Sequence, residues 1–166
     1  IAAGTADISI EFLKKNKDYE VFHTDINLPM LREGKKKLID QGEITPSILC
    51  DAEALPFPNN YFDCVTIGFG LRNMTNKEKA LKEIYRVLSP GGKIIILEFS
   101  KIWQPLRKVY DIFSFSIVPK LGKLFAKDEQ SYKYLVESIR MHPDQNKLLE
   151  LLKTQGFEKT SFMNLS

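Results

Sequence analysis

A chain of 166 residues bounds one domain, long enough to bury about 70% of the surface its unfolded form exposes. With 43% hydrophobic and 27% charged residues it is neither disordered nor membrane-like, and a net charge of +3 is too weak to argue for nucleic acid. No signal-peptide pattern is present, and no apolar run reaches the roughly 18 residues that a membrane span needs.

Small residues open the chain in IAAGTAD, and a helix follows over about 6–17, with Ile8, Phe12 and Leu13 on one face. Glu20 to Thr24 read as a short strand. Asn27 suits an N-cap, Pro29 a first turn and Gly42 a helix end. Pro46 to Cys50 and Asp63 to Phe69 are the next strands. Asn76 to Leu88 is a helix with Ala80, Leu81, Ile84, Tyr85 and Leu88 inward, and SPGG stops it. KIIILEF is apolar on both faces, as a central parallel strand is. Asp144 caps a helix through Leu152 that stops at Gly156, and a last strand begins near Phe157. Cys50 and Cys64 fall in strand-like stretches and read as buried free thiols in a reducing compartment. Neither has a CxxC partner or a nearby His, so no metal is expected.

Alternating strands and helices predict an α/β fold with a doubly wound, mostly parallel, Rossmann-like sheet and helices on both faces. Ligands of such sheets sit at the carboxyl ends of strands. That selects Gly4-Thr5, Asp25, Asp51-Ala52, Gly68 to Asn73, and Glu98 to Lys101. Gly4 lets a ligand approach the backbone, and Asp25 is placed to accept from a ribose diol. A Gly before a helix and an Asp after a strand are common, so a purely structural role has equal standing at this point. A dinucleotide needs a second glycine, and Asp7 would repel its pyrophosphate. S-adenosylmethionine carries a sulfonium and an ammonium, so the acids favour the methyl donor. In CDAEALPF, Asp51 can accept from the adenine amino group, Ala52 leaves room for the ring, and Leu55 and Phe57 can cover it. The alternative is a surface loop with two acids.

The stretch DAEALPFPNNYFDCVTIGFGLRNMTNKEKALKEIYRVLSPGGKIIILEFSK resembles the ubiquinone/menaquinone biosynthesis C-methyltransferase family. YDIFSFSIVPKLG, SYKYLVESIRMHPDQ and LLKTQGFEKTSFMNLS extend the resemblance over essentially the whole chain, and GFGLRN and SIRMHPDQ are its specific parts. The resemblance implies a class I methyltransferase fold, S-adenosylmethionine as methyl donor, and a ring carbon of a prenylated quinol as acceptor. By it Thr5 is the cofactor-loop threonine, Asp25 the ribose acid, Asp51 and Ala52 the adenine-side pair, and Gly68 a contact through its backbone. The family's opening motif runs D-x-A-x-G-T-G-D. Its first acid lies outside this chain, and Ala6 stands at a glycine, at a cost of about 1 kcal/mol or more if φ is positive there. The expectation is one domain, residues 1–166, incomplete at both termini, with a lid-like insert near 101–140.

Methylation of a phenolic ring carbon needs the carbon about 3–3.5 Å from the methyl and the phenolate stabilised. Arg72 follows a strand and is the candidate partner of that phenolate, with Asn73 donating beside it; its alternative is an ion pair with Glu98 or Asp63. Arg72 cannot serve as a base, since its pKa exceeds about 12. His142, a residue type that can titrate near neutral pH, is the candidate for proton transfer, against a structural role at a helix start. Arg140 is a second cation. Tyr110 and Phe113 are substrate-side candidates, with helix packing the alternative. His23 reads as a packing or backbone-bonding histidine. Between Lys101 and Lys127 six Lys or Arg stand against one Asp among several aromatics, which suits a greasy lid touching a bilayer. The expected setting is the bacterial cytoplasm, peripheral to the inner membrane and beside quinone-biosynthesis partners, with the mitochondrial matrix face as the alternative. Competing functions are a nicotinamide-dependent reductase, a non-catalytic partner that keeps the fold, and a methyltransferase of another lipophilic phenol.

Overall fold

Short polar side chains start the helices where the sequence places them. In the computed structural model, which describes residues 1–100 and 129–165, the Asn27 side chain accepts from the Met30 N–H at 3.0 Å. Helix α2 (Leu28–Asp40) follows, with Pro29 in its first turn, and Gly42 at φ 77° ends it. Asn76 caps α3 (Lys77–Val87) in the same way through Lys79 N at 2.9 Å. Helix α1 (Asp7–Lys15) has no side-chain cap. It begins after Ala6, whose φ of 68° and ψ of 16° are left-handed, and the methyl is fully buried. The positive φ that a glycine would take without strain is thus borne by alanine, at about 1–2 kcal/mol.

Among the described residues four strands alternate with the helices: β1 (His23–Asp25), β2 (Ser47–Leu49), β3 (Phe62–Gly68) and β4 (Leu88–Leu97). β1 pairs with β2 and β3 with β4, both in parallel, so β1–α2–β2 and β3–α3–β4 are two βαβ units. Among the described residues the regular ladders are two pairs rather than one continuous sheet, and residues 1–3 link them. Ala3 N donates to Thr24 O at 3.0 Å, and the Ile1 amino group to Thr66 O at 2.9 Å. The parallel α/β arrangement is as expected.

Two compact units make up the chain, Ile1–Glu98 with Leu152–Lys159, and Phe99–Leu151 with Thr160–Ser166. In the first, Leu38, Ile67, Leu71, Leu81, Ile84 and Val87 are the large buried residues. Ala6, Ile10, Leu13 and Leu38 cluster with Val21 against them. The second contains α4 (Glu129–Met141), with Val136 and Ser138 buried, and then His142, also buried. Helix α5 (Gln145–Thr154) is capped by Asp144, which accepts from Lys147 N at 3.0 Å. No helix among the described residues is long and apolar enough to cross a membrane.

Several local expectations are corrected. The buried face of α1 is Ser9, Ile10 and Leu13 rather than Ile8, Phe12 and Leu13. Tyr85 is half-exposed, its ring edge-on to Phe157 at 5.2 Å. Strand β4 begins at Leu88 and runs through SPGG, with a register irregularity between Phe62 and Cys64 on its partner. Ile95 is 52% and Leu97 38% exposed, so that strand is not covered on both faces. Cys64 is exposed because it alternates with the buried Val65 and Ile67. No strand forms near Phe157; its N–H is spent on Leu152 O at the helix end.

Gly34 sets how closely α2 lies on the rest. A Cβ there would stand 2.5 Å from His23 Cε1 and 2.8 Å from Gly4 O. His23 is fully buried, and its Nε2 lies 3.0 Å from Gly4 O. Burial holds the imidazole below its usual pKa, against the pull of the Gly4 carbonyl and the Asp25 charge, so the neutral ring donates from Nε2. Helix propensity alone favours alanine at position 34 by about 1 kcal/mol. Overpacking against a backbone oxygen and a buried ring reverses that sign, and Gly34→Ala is expected to lower stability by about 1–3 kcal/mol in thermal or urea unfolding. A Gly34→Ala protein as stable as the parent would show that the helix stands off freely.

Candidate functional site

Asp25 ends β1, and both its oxygens are engaged. Oδ2 accepts from Gly4 N and Oδ1 from Asn27 N, each at 2.7 Å, and the residue is 8% exposed. The turn before α1 is held on three sides: Ala3 N by Thr24 O, Gly4 N by Asp25, and Gly4 O by His23. Gly4 has φ 54°, with Met30 Cε 3.1 Å from where a Cβ would stand, so both conformation and space call for glycine. Next to it Thr5 Oγ1 donates to Asp7 Oδ2 at 2.8 Å, and Asp7 Oδ1 pairs with Lys37 from α2. Lys37, with Thr5 second, holds the Asp7 carboxyl below its ordinary range. The acid that argued against a pyrophosphate is therefore ionised.

Asp51 reaches the same edge through the backbone, because Cys50 N donates to Asp25 O at 3.1 Å. Its Oδ1 accepts from Glu53 N at 2.9 Å, which shapes the turn that carries Ala52. Ala52 and Leu55 are buried, at 8% and 5% exposure. Phe57 does not cover this edge. It stacks on Tyr61 at 6.2 Å and meets Phe22 and Phe62 edge-on, at the amino ends of β1 and β3. The loop has already crossed the sheet by position 57 to begin β3 at Phe62.

Gly68 closes β3, and a Cβ there would lie 2.4 Å from Ile8 Cδ1. At Gly70 it would lie 2.4 Å from Ala2 Cβ, so the loop after β3 packs directly on the opening turn. Between them Phe69 has φ 55°, a strained value for a bulky residue. Arg72 and Asn73 sit in the 3-10 turn Leu71–Asn73, and Asn73 N donates to Gly70 O at 3.0 Å. Arg72 Nη1 donates to both Glu98 oxygens at 3.2 Å and to the Phe69 carbonyl. The Arg72 N–H also donates to Glu98 Oε1 at 3.3 Å. The side chains are only 10% and 4% exposed, so this is a nearly buried ion pair, and of the two partners weighed for Arg72 it takes Glu98.

Gly4, Thr5, Asp25, Asp51, Ala52, Gly68, Arg72 and Asn73 all belong to the first unit and gather where β1, β2 and β3 end. His142 and Arg140 belong to the second unit. His142 is 3% exposed and its N–H donates to Ser138 O at 3.1 Å, while Arg140 is exposed near the end of α4. Tyr110 and Phe113, and most of the lid-like insert, lie outside the described residues. Among the described residues no group of three or more His, Cys, Asp or Glu is placed to hold a metal. A shallow apolar hollow lined by Leu38, Ile39 and Ile44 lies before the amino end of β2, away from this edge.

Sequence reasoning passed over Gly34 and the pair Glu83 and Arg86. Their signals were faint. A glycine inside a helix and an i, i+3 charge pair both read most simply as neutral surface features.

The sequence pattern of the ubiE/COQ5 methyltransferase family matches residues 1–166. The chain is 57% identical to the ubiquinone/menaquinone biosynthesis C-methyltransferase UbiE of Burkholderia vietnamiensis, over all of this chain and 69% of that protein. It is equally similar, at 57% with the same coverage, to the protein of that name from Paraburkholderia phytofirmans. Among solved structures, a putative methyltransferase from Bacillus halodurans superposes with a TM-score of 0.70 at 21% identity, covering 95% of this chain and 60% of the other. A Haemonchus contortus phosphoethanolamine N-methyltransferase in complex with S-adenosyl-L-methionine gives a TM-score of 0.66 at 19% identity, over 94% of this chain and 31% of that one. These structural likenesses establish the Rossmann-like methyltransferase fold. The match over the entire chain, together with the relatives' identity, places it by descent: the chain belongs to the ubiE/COQ5 methyltransferase family.

Proposed function

We propose that this protein transfers a methyl group from S-adenosylmethionine to a ring carbon of a prenylated quinol, in ubiquinone or menaquinone biosynthesis. The observation that carries the reading is the Asp25 carboxylate. Backbone amides fix it in place while each oxygen keeps a second lone-pair direction, which suits a ribose diol. The surroundings fit the same cofactor. Gly4 lets the turn take the left-handed backbone that sets its N–H on Asp25, Asp7 and Asp25 favour cationic groups over a pyrophosphate, and Asp51 with Ala52 offers an acceptor and space for adenine.

When bound, S-adenosylmethionine supplies an electrophilic methyl group on sulfur. The chain's residues do the rest. Asp25 orients the ribose, Asp51 the adenine, and Thr5 the methionyl side. Gly68 contributes only backbone, because Ile8 fills the space a side chain would need. With it bound, the ring carbon would gain its carbon–carbon bond as the carbon–sulfur bond breaks, the phenolic proton leaving to water. The hydrogen on the methylated carbon would then be lost and the phenolic oxygen reprotonated, restoring the aromatic ring with one net proton released. Arg72 is assigned the negative charge that develops on the phenolic oxygen, with Asn73 donating beside it. Glu98 holds the guanidinium in one orientation, at the cost of partly neutralising it. His142 and Arg140 are proposed on the acceptor side, together with Tyr110 and Phe113 from the insert. The six basic residues and the aromatics between Lys101 and Lys127 support a further reading, that the insert shelters the prenyl tail and touches the anionic inner face of a membrane.

Calorimetric titration of S-adenosylmethionine into the full chain tests the cofactor assignment. Asp25→Ala is expected to weaken binding by about 2–4 kcal/mol, and Asp25→Asn, which keeps an acceptor and protects the turn, by less. Unchanged affinity in a folded Asp25→Ala protein would mean that the diol is held elsewhere. Steady-state assays on a demethylated quinol separate the role of Arg72 from cofactor binding. Arg72→Lys keeps the charge but loses the fork, and kcat is expected to fall about 10- to 100-fold with the cofactor affinity unchanged. Equal kcat would leave Arg72 as a purely structural partner of Glu98. Vesicle flotation with anionic lipid tests the membrane contact. The protein is expected to float, and replacing Phe113, Phe115 and Phe125 by Ser to abolish it; a folded parent that stays at the bottom of the gradient overturns that contact.

A further inference from the structure

Between β2 and β3 the segment 50–61 has no ladder of its own, yet it carries Asp51 and Ala52 at its head. Two residues of α3 hold it. Arg86 donates from Nη2 to Leu55 O at 2.9 Å, and from Nη1 to Phe57 O at 2.7 Å and Asn59 Oδ1 at 3.0 Å. Glu83 accepts from Leu55 N at 2.9 Å. The two side chains are themselves joined by a fork, Nε to Oε1 at 2.8 Å and Nη2 to Oε2 at 2.7 Å. Leu55 is thus gripped through both its N–H and its carbonyl. At the head of the loop, Glu53 accepts from Asn76 N at 2.7 Å and its own N–H binds Asp51. Beyond the grip, Asn60 N and Tyr61 N donate to Arg86 O and Val87 O.

An ordinary i, i+3 ion pair on a helix is worth a few tenths of a kcal/mol and organises nothing. This one differs because its donors are shared with carbonyls of a segment about 30 residues away in sequence, in the planar five-donor geometry only arginine has. Arg86 also keeps the Glu83 carboxyl below its ordinary range, so the grip persists through neutral pH.

We propose that Glu83 and Arg86 are positioning residues for the purine: they hold the 51–59 loop so that Asp51 and Ala52 meet the adenine of the cofactor, without touching it. The inference rests on the adenine assignment made above. It states that base discrimination, and not only folding, depends on two residues of α3.

Affinities of the full chain for S-adenosylhomocysteine and S-inosylhomocysteine, which differ in the exocyclic amino group, read this directly. The parent protein is expected to prefer the adenosyl ligand. Arg86→Gln is expected to weaken the adenosyl ligand about tenfold and to shrink the preference, since an unheld loop no longer presents one acceptor in one place. Arg86→Lys should not restore it, because an ammonium does not span two carbonyls and a carboxylate. Asn59→Ala removes a single exposed arm of the grip, so it folds, and it is expected to shrink the preference to a smaller extent. Thermal melts run alongside. Lower melting temperatures with an intact adenine preference in the Arg86 variants and in Asn59→Ala overturn the proposal. Asp51→Ala separates it from the reading beneath it. If that variant loses the preference while the Arg86 and Asn59 variants keep it, the positioning role falls and the adenine assignment stands. If Asp51→Ala discriminates as the parent does, the assignment falls and the inference with it.

Discussion

The Asp25 carboxylate is the constraint from which the rest of the site follows. One oxygen takes the N–H of Gly4 and the other the N–H of Asn27, so a single side chain joins the opening turn, the end of β1 and the start of α2. Charge-assisted bonds of this kind are worth about 1.5–3 kcal/mol each. His23, two residues back on the same strand, secures the Gly4 carbonyl. Gly34 then lets α2 close on both. Under the proposed assignment function and folding would share these atoms: a cofactor diol arriving at Asp25 would meet an acid already oriented by two backbone amides, with little conformational freedom left to lose on binding.

A second fixed point lies at the end of β3. Phe69 holds a left-handed backbone, and Gly68 and Gly70 on either side pack on Ile8 and Ala2. Strain of about 1–3 kcal/mol at such a residue persists only when its surroundings over-determine it. Here Arg72 and Glu98 do so, with the guanidinium reaching the Phe69 carbonyl and the carboxylate reaching the Arg72 amide. A nearly buried ion pair adds little net stability over an apolar pair of the same size, but removing one partner leaves an uncompensated charge. Its value is in choosing one arrangement of the loop.

Charge therefore has two uses in this chain. Lys14 with Glu11 is an exposed pair of little energetic weight. Arg72 with Glu98 and Arg86 with Glu83 instead spend their hydrogen-bonding capacity on backbone groups of loops that have no sheet partner. In an α/β fold the ladders position strand ends, while the loops that shape a ligand slot need anchors of another kind.

Local chemistry was legible in the residues themselves. Asn27, Pro29, Gly42, Asn76 and Asp144 mark helix ends by side-chain bonds or backbone conformation that depend on near neighbours only, and they lie where the pattern places them. The strand-end acids Asp25 and Asp51 were selected by the same reasoning, because period and topology put them at one edge. What the sequence left open turns on which face or partner a residue meets across the fold. Cys64 is exposed and Tyr85 half-exposed because alternation and helix phase are settled by packing, which a short apolar run does not specify. Phe57 joined an aromatic cluster because its loop crosses the sheet. Arg72 had two acids of equal standing, Asp63 and Glu98, and only the parallel pairing of β3 with β4 brings Glu98 beside it. Short-range bonds are written in adjacent residues, whereas ion pairs and close contacts between distant segments exist only once the chain has closed on itself.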